Sequence, residues 1–142
     1  MTDVALRVST AVTLLWLGMV LAISFLEAPL KFRAPGVDLR TGLAIGRIVF
    51  RALNGIEVVW AAVLAATLIA DAPNRQATIA ALVTIAVLAA QLSGVRPRLN
   101  RRSDRVLAGE HVPRSSAHHV YIALEAVKVA GLILLAGILL AS

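Results

Sequence analysis

A chain of 142 residues is long enough for one domain, 1–142, and with 59% hydrophobic and 15% charged residues it carries more apolar surface than a water-soluble fold of this size can bury. A mean hydropathy of +0.85 places it among integral membrane proteins, and the absence of cysteine excludes disulfides, thiolate metal sites and thiol redox chemistry. A net charge of +6 would suit nucleic acid, but the arginines lie between apolar runs, where membrane loops carry them, so no nucleic-acid partner is expected.

Four apolar runs follow in chain order. The first, 4–28, holds only Arg7 and Glu27 as charges and is stopped by Pro29. It lacks a basic start and a small-residue cleavage site before a polar domain, so it reads as a membrane helix rather than a removable signal. The second, 40–70, begins after Asp38 as N-cap and ends at "DAPNR", Asp71 to Arg75. It exceeds the ~20 residues needed to span a bilayer, so its first turns, with Arg47, belong to the headgroup layer. The third, 76–94, ends at Gly94 and Pro97. The fourth, 115–141, starts at the cap signature Pro113, Ser115 and Ser116. Segments apolar all round and of this length satisfy their backbone in lipid as helices. The expected fold class is an all-α, polytopic integral membrane four-helix bundle.

Short connections make neighbouring helices antiparallel and put two loops on one side. The first carries Lys31, Arg33 and Arg40; the other carries Arg96, Arg98, Arg101, Arg102, Arg105 and Arg114. Only Arg7 and Arg75 fall on the opposite side. The positive-inside rule then orients the chain in the inner (plasma) membrane with both loops cytoplasmic and both termini outside. The segment "RPRLNRRSDRVLAGEHVPR" is a topology determinant that could also form a short interfacial helix against anionic headgroups.

Polar side chains gather in the arginine-rich half. Counting ~1.5 Å per residue from that boundary puts Asn54 at roughly 10 Å, Glu57 at roughly 15 Å and Glu125 at roughly 12 Å. Glu27, Ser24 and Gln91 lie nearer the surface. His118, His119 and Tyr121 occupy the first turns of the last helix, with His118 and Glu125 on one face. The other half holds nothing more polar than Ser and Thr. A charge in mid-membrane costs at least ~2.5–3.5 kcal/mol, so the carboxylates should face inward and be paired, Glu125 with Lys128 and Glu57 with Arg47 or Arg51.

Beyond pairing, the groups suggest a polar cavity open to the cytoplasm that binds a small or lipophilic molecule. Glu57, Glu125, Asn54 and Tyr121 are the candidate catalytic groups, as acid and hydrogen-bond donors. Glu27, Glu57, His118 and Glu125 are hard ligands for a divalent metal, and His118 or His119 could ligate a haem. A transporter or efflux element for ions or toxic compounds is the alternative, and an accessory subunit of a larger membrane complex a third. Small residues at Gly42-xxx-Gly46, Ala62-xxx-Ala66 and Ala126-xxx-Ala130 allow close helix approach, within the bundle first and in a homo-oligomer second.

Trp16 and Gly18, "FLEAPLKFR" (Phe25 to Arg33), "GRIVFRALN" (Gly46 to Asn54), "RPRL" (Arg96 to Leu99) and the pair His118–His119 give the chain a layout that resembles the small four-helix membrane family of transmembrane protein 205 and its bacterial relatives. The resemblance implies roles in resistance to toxic compounds or in trafficking, and assigns no catalytic residue.

Overall fold

The apolar runs are helices, and no strand occurs among the described residues. The computed structural model describes residues 1–113 and 116–142, with α1 spanning Asp3–Arg33, α2 Leu39–Ala70, α3 Arg75–Leu107 and α4 Ser116–Leu140. Each is long and apolar enough to cross a bilayer, so the chain is an all-α polytopic membrane bundle. The Arg114 charge and the Ser115 cap lie outside the described residues.

Polar side chains start three of the helices, Asp38 as the sequence indicates and Thr2 and Asn74 besides it. Thr2 accepts the Ala5 N–H at 3.2 Å, Asp38 the Thr41 N–H at 2.8 Å and Asn74 the Ala77 N–H at 2.9 Å. The hydrogen bond from the Thr41 backbone holds the Asp38 carboxyl below its ordinary range.

Two helices continue where the sequence suggested a stop. Neither Pro29 nor Pro97 ends its helix, and α3 runs on to Leu107 instead of ending near Gly94. Each proline follows a stretch of wide, π-type turn, Leu21–Glu27 in α1 and Gln91–Val95 in α3. There the backbone reaches back five residues, Ala28 donating to Ile23 and Arg96 to Gln91. The proline then stands at the start of the resumed α-helix, where a missing N–H is no loss. The arginine-rich segment is therefore helical, as a continuation of α3 rather than a separate element. An ion pair from Arg47 to Asp104 ties it to α2.

α1 packs between α2 and α4; α4 lies along α3; α3 meets α2 mainly through its arginine-rich extension. This is a closed square with α2 and α4 on one diagonal. Lipid is as apolar as the helix surfaces, so close backbone approach matters more than hydrophobic burial. The α3–α4 contact provides it, with Ala77, Ala80, Ala81 and Thr84 buried against α4. A Cβ on Gly131 would fall 2.5 Å from Thr84 Oγ1. The small-residue spacings named from sequence behave otherwise. Ala62, Ala66, Ala126 and Ala130 face outward, away from the core, while Gly42 lies beneath the Phe32 ring and Gly46 beneath Lys31. In the half near the termini, Val12, Leu64, Leu132, Leu135 and Leu139 fill the centre.

Candidate functional site

Lys128 stands at the centre of the bundle and is fully buried. An ammonium group has three protons to donate, and three oxygens surround it. Glu57 Oε1 on α2 lies at 2.5 Å, Glu125 Oε1 one turn back on α4 at 2.6 Å, and Gln91 Oε1 on α3 at 2.9 Å. From α1, the Trp16 indole N–H donates to Glu57 Oε1 at 3.1 Å and the Ser24 hydroxyl to Glu125 Oε2 at 3.2 Å. Every helix of the bundle thus supplies a side chain.

The local sequence explains the convergence. Glu125 and Lys128 are three apart on one face of α4. Ser24 and Gln91 both belong to the π-type stretches, which turn polar side chains inward without breaking their helices. Trp16, an amphipathic ring, presents its N–H to the polar centre and its body to the apolar half.

The cluster is closed. Glu57, Gln91, Glu125 and Lys128 are 0–2% exposed, so the open cavity anticipated from sequence is filled by the ion triad itself. Clefts lie instead in the loop layer of the arginine-rich end. One of about 590 Å³ is lined by Asp38, Arg40, Glu110 and His111 among others, and one of about 330 Å³ by Arg98, Arg101, Arg102 and Arg105 with Ser116. With two carboxylates on one ammonium, the triad carries one negative charge in excess when both acids are ionised. Glu57 Oε2, Glu125 Oε1 and Gln91 Nε2 make no hydrogen bond among the described residues; Glu125 Oε1 is held by its ion pair with Lys128 alone, and Glu57 Oε2 is an acceptor left unused.

The residues named from sequence fall into three groups. Glu57 and Glu125 meet at Lys128; neither Arg47 nor Arg51 reaches Glu57, since Arg47 is held by Asp104 and Arg51 points outward. Gln91, expected near the surface, is 1% exposed at the centre. Tyr121 is buried one turn from Glu125, edge-on to Phe50 with ring centroids 6.2 Å apart. Asn54 is half-buried, and its side chain makes no hydrogen bond among the described residues. Glu27 pairs with Lys31 at 3.7 Å. His118 is half-buried and His119 exposed, their rings 5.9 Å apart.

Among the described residues no three His, Asp or Glu side chains gather as a metal cage. The set Glu27, Glu57, His118 and Glu125 therefore does not converge, and the inward oxygens of Glu57 and Glu125 are taken by Lys128. Sequence reasoning missed Trp16 as a partner of Glu57 and treated Lys128 only as a local mate of Glu125. A lysine amid otherwise apolar helix, three residues from a glutamate, was the available signal. No family model, curated protein or solved structure matches the chain.

Proposed function

We propose that the protein is a membrane-embedded binding protein for a small molecule that approaches from the arginine-rich side, and that binding is linked to one proton shared by Glu57 and Glu125. The observation that carries this reading is the imbalance at the centre of the bundle. Two buried carboxylates hold one lysine, and a single proton brings the three to neutrality. Burying a net charge in a low-dielectric core is costly, so the cluster should gain or lose its proton together with any change in its surroundings.

Access from one side follows from the division of the bundle. Polar side chains continue from the triad toward the arginine-rich end through Ser24, Tyr121 and Arg96, whereas the other half offers Ser9, Thr13, Thr67 and Thr84 in an apolar core. Binding and release on one side need no polar path through the second half; transport would. The arginine distribution supports assigning that side to the cytoplasmic face of the plasma membrane. A divalent metal at Glu57 and Glu125 would have to displace the lysine ammonium, which argues for a proton rather than a metal at this position.

Infrared spectroscopy of the purified protein in liposomes tests the reading. A protonated-carboxyl C=O band is expected near neutral pH, with a deuterium shift. Glu57→Gln or Glu125→Gln should remove it, because either change balances the lysine without a proton. Absence of the band in the wild-type protein from about pH 5 to pH 9 would mean that both acids are ionised and would end the proposal.

A further inference from the structure

Arg96 is partly buried and has no counter-ion among the described residues. The Arg96 guanidinium sits in the corner formed by two aromatic rings that stand edge-to-face, its Cζ 4.9 Å from the Phe50 centroid and 4.5 Å from the Tyr121 centroid. The two rings attract the positive charge, but they leave the N–H donors on the edge of the group without acceptors. Nε and Nη2 are both shielded from solvent and have no acceptor among the described residues. These two N–H groups point the same way and form the side-on fork of the guanidinium. The hydroxyl of Tyr121, a residue 8% exposed, makes no hydrogen bond within ordinary limits among the described residues and faces the Glu125 carboxyl.

Two carboxylates of the arginine-rich half have lysines as their ion-pair partners. Glu27 pairs with Lys31, and Glu125 with Lys128, while no carboxylate among the described residues pairs with Arg96. Arginine cannot relieve the mismatch by losing its proton. Chain geometry places it there deliberately. In a regular α-helix Arg96 would be turned well away from Gln91, five residues earlier. The wide turn at Gln91–Val95, closed by the Arg96 N–H to the Gln91 carbonyl, brings the two onto one side of α3. Gln91 then reaches Lys128 and Arg96 reaches Tyr121, while the following Arg98 and Arg101 serve the loop layer.

We infer that Arg96 and Tyr121 form an oxyanion site, for a carboxylate or phosphate group presented with two oxygens to the Arg96 fork and hydrogen-bonded by the Tyr121 hydroxyl. A planar fork matches two coplanar oxygens, which an ammonium or a lone hydroxyl does not. The site lies between the arginine-rich surface and the triad, so it gives the small molecule of the binding reading an acidic group; it rests on that reading for the direction of approach. The same chemistry is offered by a free anion and by the headgroup of an acidic lipid.

The test measures thermal stabilisation of the full-length protein by two probes, inorganic phosphate in detergent and phosphatidic acid in nanodiscs against a phosphatidylcholine background. Stabilisation by phosphate identifies a soluble oxyanion, and stabilisation by phosphatidic acid alone identifies a lipid headgroup; either supports the site. Arg96→Lys, which keeps the charge and loses the fork, should weaken the effective probe roughly tenfold. Tyr121→Phe should weaken it by a smaller factor, and the surface change Arg101→Lys should leave it unaltered. Equal affinity in wild type and Arg96→Lys, or no stabilisation by either probe, overturns the inference. The carboxyl infrared band is recorded on the same samples. A band retained in Arg96→Lys while anion binding is lost supports the inference and shows the two sites to be separable. Anion binding by a wild-type protein without the band leaves the oxyanion site standing and removes the proton-linked reading alone.

Discussion

Lys128 Nζ lies 2.5 Å from Glu57 Oε1, although α4 and α2 stand on a diagonal of the bundle and share little direct packing. A long side chain crosses the centre to make that contact, and α1 and α3 close around it through Trp16 and Gln91. The polar cluster therefore fixes the mutual position of all four helices as well as forming a site. In lipid, where apolar burial drives helix association weakly, such a centre specifies one arrangement of helices that would otherwise slide on similar surfaces.

Close packing of α3 on α4 makes two glycines respond in opposite ways. Gly131→Ala would push a methyl group into Thr84, which is buried and already bonded to the Ala80 carbonyl at 2.8 Å. The variant should lose about 1–3 kcal/mol in unfolding from mixed micelles. Thr84→Ala, which removes the obstructing atoms, should restore most of it. Gly137 has open space where its Cβ would be, so Gly137→Ala should be neutral or slightly stabilising through helix propensity.

Orientation can be read with an impermeant thiol reagent, since the chain has no cysteine of its own. Ala72 and His111 are exposed in turns at opposite ends of the bundle. On intact cells Ala72→Cys should label and His111→Cys should require permeabilisation. The reverse pattern would place the arginine-rich end outside and the site with it.

Much of the fold was legible because lipid imposes a simple code: apolar length marks a helix, and arginines mark one side. The two stops misread at Pro29 and Pro97 show where the code is incomplete. A proline ends an α-helix by lacking an N–H, but a preceding π-type turn removes the need for that N–H, and nothing in "SFLEAP" or "LSGVRP" announces such a turn. The candidate site was legible in its members and not in its pairing. Depth along each helix brought Glu57 and Glu125 to one level, but rotation about the axis decides partners. Rotation gives Glu57 to Lys128, while Arg47, about 15 Å nearer the boundary along α2, bonds Asp104 in the α3 extension. Asn54 shares a helix with Glu57 and still stands apart from the cluster, for the same reason.

Asp38 gives the arginine-rich end a modest dependence on acid. Its carboxyl, held low by the Thr41 N–H, is more acidic folded than unfolded. The stabilisation is therefore complete above the ordinary carboxylate range and is lost as pH falls through the depressed value. Asp38→Asn keeps an acceptor for the Thr41 N–H without a titrating group. Its melting temperature should fall less steeply on the acid side than that of the wild type.

The charge balance at Lys128 is tested most directly by a thermodynamic cycle of unfolding in mixed micelles at neutral pH. Lys128→Met strands two carboxylates and should cost on the order of 3–5 kcal/mol. Glu57→Gln and Glu125→Gln singly leave one acid for one base, and each should cost less than about 1.5 kcal/mol, the scale of a lost hydrogen bond. The double glutamine variant isolates the lysine and should be as unstable as Lys128→Met, while adding Lys128→Met to it should recover stability. If each single glutamine change is as damaging as the loss of Lys128, both carboxylates are required in ionised form, and a site that shares one proton between them is contradicted.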